Sequence, residues 1–266
     1  MAKCSPDAFA MAGRGETPMN VVAVFQHTSG EYLGLMEDHL EGRRIRFQYF
    51  RPFAGGSGKL PDSDLPADAL FLLGGGPWGS AGSRDLPTLA EEVEFTRVML
   101  EQGTPIVGIG LGAQILAIAA GGSSEIADFV FECRKCRRTD SGALNGYLPD
   151  EFMQVVYMRD RPVLPEGSKI LAVDESEQPA VFQVADNAYG FVGHPGIKLG
   201  IIEDLIMEFE EVPGTTYEGL DELRGLQSRI EDDLVPIMTG LVQCTDLMSS
   251  PKAATGGSSE LENSVV

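Results

Sequence analysis

The residues best placed to do chemistry begin with Gly108-Ile109-Gly110-Leu111-Gly112-Ala113-Gln114. Pro105 to Ile109 just before them are apolar or Gly and read as a strand buried on both faces. Ile115 to Ala120 form an apolar run of good helix formers closed by Gly121-Gly122. Strand, sharp glycine turn and helix make a nucleophile elbow. Such an elbow holds one residue in a strained conformation at the open end of a parallel sheet, under a helix N-terminus. The residue at the tip is Gly110, and no Ser, Thr or Cys adjoins it. The elbow therefore carries no nucleophile, and glycine removes the φ > 0 penalty of roughly 1 kcal/mol.

Three further places need weighing. Gly74-Gly75-Gly76-Pro77-Trp78-Gly79-Ser80 follows a strand directly; it is either a tight strand-end turn or a set of backbone donors that a substrate can approach closely. His194 follows the apolar Tyr189 to Val192 and is either a packed polar residue at a strand end or a proton carrier in need of an orienting partner. Cys133-Arg134-Lys135-Cys136 has the spacing of half a zinc site. A structural zinc needs two more ligands and no second pair lies nearby, so strand cysteines that fall three apart are the favoured reading and no metal is expected.

The elbow resembles that of the class I (triad-type) glutamine amidotransferases, which reads G-x-C-x-G-x-Q. Gly108, Gly112 and Gln114 match, and Gly110 stands where the family has its catalytic cysteine. The resemblance runs in order from Val21 to Leu205. Leu164-Pro165-Glu166-Gly167 sits where the family has L-P-x-G, and Tyr189 to Gly196 matches its G-x-Q-F-H-P-E. There His194 and Pro195 match, while Gly196 replaces the triad glutamate. The resemblance implies that Gly75 or Gly76, together with Leu111, would supply oxyanion-hole amides, and that Gln114 would touch bound glutamine. It also implies a fold: an α/β protein with a mostly parallel, helix-flanked sheet, a flavodoxin-like core and a smaller antiparallel segment. In that family a cysteine attacks the glutamine amide, a histidine moves the proton, a glutamate orients the histidine, and ammonia passes to a synthetase. Two of those three side chains are missing here. In comparable triad enzymes, oxyanion stabilisation and binding alone leave only about 10³–10⁴ over water. The expectation is a protein without glutaminase activity, with degenerate triad positions Gly110, His194 and Gly196.

The elements that must position these residues follow from pattern. Strands are expected at Asn20–Phe25, Ile45–Phe50, Asp68–Leu73 and Pro105–Ile109, then at Phe129–Cys133, Phe152–Met158, Lys169–Val173, Val181–Val184 and Tyr189–Val192. Helices are expected at Glu31–Leu40, after an Asp85 N-cap to Gly103, and at Leu199–Phe209. Residues 51–66 read as loop. Leu220, Leu223, Leu226, Ile230, Leu234, Ile237 and Leu241 recur at intervals of three and four, an amphipathic stripe that Pro236 should kink or break. The chain thus divides into an N-terminal arm (1–19), an amidotransferase-like domain (20–212), a helical extension (213–248) and a Ser/Gly/Glu-rich disordered tail (249–266).

Composition is that of a globular protein, 43% hydrophobic and 23% charged. A net charge of −20 argues against nucleic acid or an anionic membrane as partner. No apolar run is long enough to span a bilayer, and residues 1–19 lack the form of a secretory signal. Four scattered cysteines point to a reducing cytoplasm. No cofactor is implied. Three functions remain: a partner or scaffold, or a homo-oligomer joined through the C-terminal stripe; a sensor that binds glutamine, glutamate or a related amide through Gly75, Gly76, Leu111 and Gln114; or an active enzyme of another kind, either a subunit of an ATP-dependent complex whose chemistry lies on its partner or a hydrolase using His194 with water.

Overall fold

Apolar residues alternate along the first strands so that each strand serves two cores. In a computed structural model that describes residues 19–52, 60–61 and 65–249, these strands are β1 (Val21–Phe25), β2 (Arg46–Phe50), β3 (Ala69–Leu72) and β4 (Ile106–Ile109). Val22, Val24, Phe71 and Val107 enter one core cluster, and Ala23, Phe25, Leu70 and Ile106 enter the other. A sheet buried on both faces needs continuous apolar strands, and β1, β3 and β4 supply them.

The remaining strands are β5 (Ser123–Glu125), β6 (Val130–Arg138), β7 (Glu151–Met158), β8 (Arg161–Val163), β9 (Lys169–Asp174), β10 (Pro179–Ala185) and β11 (Ala188–Phe191). Nine strands form one sheet in the order β2-β1-β3-β4-β11-β10-β9-β6-β7, and β5 pairs only with β8. The β2-β1-β3-β4-β11 part is parallel and the rest antiparallel. The fold is therefore mostly parallel where the elbow lies and antiparallel beyond, as expected from the resemblance. A bridge between Val155 and His194 ties the chain beyond β11 back to β7.

Helices α1 (Met36–Gly42), α2 (Leu89–Glu101), α3 (Leu111–Ala119), α4 (Leu199–Glu208) and α5 (Thr216–Cys244) cover the sheet. Three helical expectations need correction. The first helix starts at Met36 rather than Glu31, because Gly34 takes φ +64° and the Leu35 N–H donates to Gly196 O at 2.8 Å. Asp85 does not cap α2; Thr88 holds the N-cap position, and Asp85 instead accepts the Gly82 N–H at 2.7 Å. Pro236 does not break α5, which runs through it. The lost hydrogen bond and ring clash cost about 3 kcal/mol, offset by the burial of Leu234, Ile237, Met238 and Leu241 at 0–1% exposure.

That burial also corrects the reading of the stripe as apolar surface open to a partner. Leu234, Ile237, Met238 and Leu241 complete the core on one face of the sheet, and Leu223 and Ile230 pack with Phe131, Tyr157 and α4. Strand β6 extends beyond the expected Cys133 to Arg138, its basic run paired with acids: Lys135 with Glu151 at 2.8 Å, Arg134 with Asp174 and Arg137 with Glu177, each at 3.0 Å. The expected arm, most of the 51–66 loop beyond Pro52, and the tail from Ser250 lie outside the described residues apart from 19, 60–61 and 65–66.

Candidate functional site

The elbow forms as its residue types dictate. Gly110 sits between β4 and α3 with φ +57° and ψ −117°, a conformation open to glycine at little strain. Its flanking glycines are there for contact: a Cβ on Gly112 would meet Leu72 O at 2.1 Å, and one on Gly108 would meet Gly112 O at 2.4 Å. Helix α3 thus seats directly on β3 and β4. The Gly110 N–H donates to Phe191 O at 2.9 Å, and a side chain added at its tip would start 3.3 Å from the Gly74 Cα. The elbow and the glycine turn after β3 are therefore in contact.

The space at that turn is already occupied by Glu31. Its Oε2 accepts the Gly76 N–H at 3.0 Å, and its other oxygen lies against Gly74, where a Cβ would meet it at 1.7 Å. The Glu31 backbone is fixed by its own N–H, which donates to Thr28 Oγ1 at 3.0 Å. Glu31 is 4% exposed. Burial pushes its pKa up to about 7, against the opposing pull of the Gly76 N–H and of His27. Leu111, the expected second donor, packs its side chain onto Gly75, and Gly76 is covered by Phe209, Leu205 and Thr28.

Gln114 is fully buried and engaged within the chain. Its Oε1 accepts from Ser80 Oγ and its Nε2 donates to Arg159 O at 2.7 Å. His194 is 3% exposed; its Nε2 donates to Tyr32 O at 3.2 Å, and its Nδ1 accepts the Gly196 N–H at 3.1 Å. That pairing fixes the neutral Nε2–H tautomer, and burial pulls the pKa down to about 4, only partly opposed by the Tyr32 carbonyl. Where the triad glutamate would project, a Cβ on Gly196 would meet Leu234 Cδ2 at 2.8 Å and Met36 Cγ at 3.1 Å. The space beside position 196 is occupied by hydrocarbon from α5 and α1.

Residues that the motifs did not single out complete the picture. His27, 2% exposed, places Nε2 at 2.7 Å from Glu92 Oε2 and Nδ1 at 3.0 Å from both Leu73 O and Gly74 O. Both nitrogens face acceptors, an arrangement that favours the imidazolium. Burial works to lower its pKa, but the Glu92 carboxylate prevails and the net shift is upward. Thr88 Oγ1 donates to the other Glu92 oxygen at 2.6 Å. Among the described side chains, the buried Tyr157 hydroxyl has no hydrogen-bond partner; burial, then the charges of Glu31 and Glu211, raise its pKa. The available signal for His27 and Glu31 was position: both lie beyond the C-terminal end of a parallel strand, where open α/β sheets bind their ligands.

Cys133 and Cys136 fall an odd number of residues apart on β6 and so point to opposite faces. Cys133 packs beside Phe131 and Tyr157, while Cys136 joins the core cluster of Val22 and Phe71 and lies 2.9 Å from Gln154 Nε2. One ion cannot take both, and burial pushes each thiol up to about 12. No group of three or more His, Cys, Asp or Glu among the described residues could hold a metal. A cavity of about 680 Å³ opens beside β6, lined by Phe131, Val156, Met158, Val192 and several carboxylates. None of its lining residues belongs to the elbow or to the Gly74–Pro77 turn.

Against known proteins, residues 61–244 match the family model described as glutamine amidotransferase class-I. GMP synthase [glutamine-hydrolyzing] of Aeropyrum pernix is 29% identical over 138 residues, which are 50% of this chain and 25% of that protein. The carbamoyl phosphate synthase small chain of Vibrio vulnificus is 28% identical over 146 residues, 51% of this chain and 36% of that one. The chain thus spans only about a quarter to a third of these curated relatives. Two solved structures share the fold: a glutamine amidotransferase of Thermotoga maritima, with a TM-score of 0.67 at 19% identity over 85% of this chain and 98% of that one, and one of Methylobacillus flagellatus, with a TM-score of 0.69 at 18% identity over 86% and 96%. With the elbow, the sheet order and the family match together, the chain belongs to the class-I glutamine amidotransferase family.

Proposed function

We propose that this chain is an amidotransferase-like protein without glutaminase activity, which acts as a partner or scaffold subunit or as a homo-oligomer in the cytoplasm. One observation carries the reading: the tip of the elbow is Gly110, and the adjoining glycine turn already holds the carboxyl of Glu31. Acyl transfer needs a thiolate or hydroxyl at the tip and an imidazole free to move its proton. Here there is no nucleophile, and both nitrogens of His194 are bonded to backbone. The test is ammonia release from glutamine by the intact chain and by Gly110→Cys. Neither should exceed background, because the cysteine alone would meet a neutral, backbone-bound histidine; turnover by the unaltered chain overturns the reading.

A partner is favoured by the relatives, one of which is named as the small chain of a synthase. The reading as a subunit of an ATP-dependent amide- or amine-forming complex rests on the same ground. With the α5 stripe buried, the surface better suited to contact is the α4–α5 junction, where Met207 and Tyr217 are 77% and 83% exposed. Co-purification from the native host, with and without Met207→Glu and Tyr217→Glu, tests it: a partner retained equally by both forms rules out this surface. The sensor reading is weakened by the engagement of Gln114 and of the Gly76 amide within the chain. Calorimetry with glutamine and glutamate should show no heat at millimolar ligand.

A further inference from the structure

We infer that Glu31 is a resident substitute for an external ligand: its carboxyl fills a carboxylic-acid-binding cradle at the glycine turn, and removing that side chain turns the cradle into a site for small carboxylic acids. The inference rests on the non-catalytic reading of the elbow and names what has taken the place of substrate there.

Three features place Glu31 as an occupant rather than as a surface acid. Its Oε2 receives a backbone N–H from Gly76, within the glycine turn that touches the elbow. Its Oε1 lies against Gly74, at a distance no other residue type at 74 would permit. Together these make a cradle of backbone shape and one donor that fits a planar carboxyl, whose oxygen accepts the Gly76 N–H.

The third feature is closure. The segment that leaves α4 crosses over the turn: Glu208 accepts the Ser29 and Gly30 N–H groups at 3.0 and 2.9 Å, and a Cβ on Gly76 would meet Phe209 Cε2 at 3.1 Å. Glu211 then pairs with both Arg84 and Arg159, and Arg159 Nε donates to Pro77 O at 3.1 Å. This strap covers the Gly74–Pro77 turn and, with it, the carboxyl beneath.

Thermal unfolding of the full chain tests the idea in acetate against equimolar chloride at matched pH. Glu31→Ala should be stabilised by acetate and formate, with an affinity at least about tenfold above that of the unaltered chain, which should respond to neither. Glu31→Gln, whose amide oxygen still meets the Gly76 N–H, should also fail to respond. In hydrogen exchange, the Gly76 amide should be protected in the unaltered chain, exposed in Glu31→Ala, and protected again on adding acetate. If Glu31→Ala does not fold, its refolding should recover in acetate and not in chloride. An equal acetate response by all three proteins, or no response and no recovery for Glu31→Ala, overturns the inference. Ammonia release speaks only to the non-catalytic reading, so the two failures are told apart.

Discussion

His27 and His194 leave the same end of one parallel sheet, the first after β1 and the second after β11, and are almost equally buried at 2% and 3% exposure. Their pKa shifts are opposite. His27 has a carboxylate at 2.7 Å and carbonyls on its other nitrogen, so its pKa is raised. His194 has a carbonyl on one side and a backbone N–H on the other, so burial outweighs the carbonyl and its pKa falls to about 4. The difference shows what a buried acid beside the ring does. A buried histidine is held charged by a carboxylate buried with it; beside His194 stand Gly196 and, where a side chain at 196 would start, Leu234 and Met36, so no acid is there to do so.

The strongest way to break this comparison is to remove the acid that His27 still has. Glu92→Leu leaves a buried imidazole between carbonyls and should cost about 3–5 kcal/mol in chemical denaturation. The double variant Glu92→Leu with His27→Leu should cost less than Glu92→Leu alone, since it leaves no buried charge unpaired. A double variant at least as unstable as Glu92→Leu alone would mean that packing, not charge, ties these residues together.

Next in size are the pH limbs. His194 has a folded pKa below its unfolded one, so its contribution is present above about 6.5 and lost as pH falls toward 4, by about 3 kcal/mol. Glu31 runs the other way. Its folded pKa is above its unfolded one, so its contribution is complete below about 4.5 and lost as pH rises through 7, by a similar amount. His27 adds to that alkaline loss. Between about pH 4.5 and 6.5 the His194 and Glu31 slopes oppose each other, so the unaltered chain should show a nearly flat profile there. His194→Asn should make stability fall as pH rises through that window, and Glu31→Gln should make it fall as pH drops. Denaturation series at several pH values read both slopes, and variants that keep the flat profile would show that these groups do not set it.

The sequence disclosed most of the frame and little of this electrostatics. The glycines at 108, 110 and 112 were legible because an elbow needs close backbone approach, and the buried strands because unbroken apolar runs permit little else. The register and length of β6 were not, since its Arg-Lys-x-Arg-Arg run reads as loop until its acidic partners on neighbouring strands and turns are known. Helix α5 misled for a related reason: a stripe at helical spacing shows that a face is apolar but not whether its partner is another molecule or the same sheet. Glu31 looked like part of a helix, and only the contact of two glycine turns remote in sequence gave it a place.

Position 196 offers a gentler way to sharpen the comparison. Gly196→Glu should cost about 1–3 kcal/mol through overpacking against Leu234 and Met36. Joined with Leu234→Ala, which clears the nearest atom, it places a carboxyl in the neighbourhood of His194. The imidazole pKa followed by NMR should then rise from about 4 toward the behaviour of His27. An unmoved His194 would show that burial and the Gly196 N–H on its Nδ1, rather than the lack of an acid, hold it neutral.

The smallest effect should come from the charges of the strap. Glu211 pairs with Arg84 and Arg159 as Glu92 pairs with His27, but its side chain is 45% exposed while that of Glu92 is wholly buried. Water and salt screen the first pair and not the second. Glu211→Gln should therefore change global stability by less than about 1 kcal/mol, and raised salt should erase even that difference. Its effect should instead be local: with one anchor of the strap loosened, amide exchange at Gly76 should quicken while exchange in β4 stays unchanged. If Glu211→Gln costs as much as Glu92→Leu, exposure is not what separates the two pairs, and the contrast drawn between the two histidines loses its physical basis.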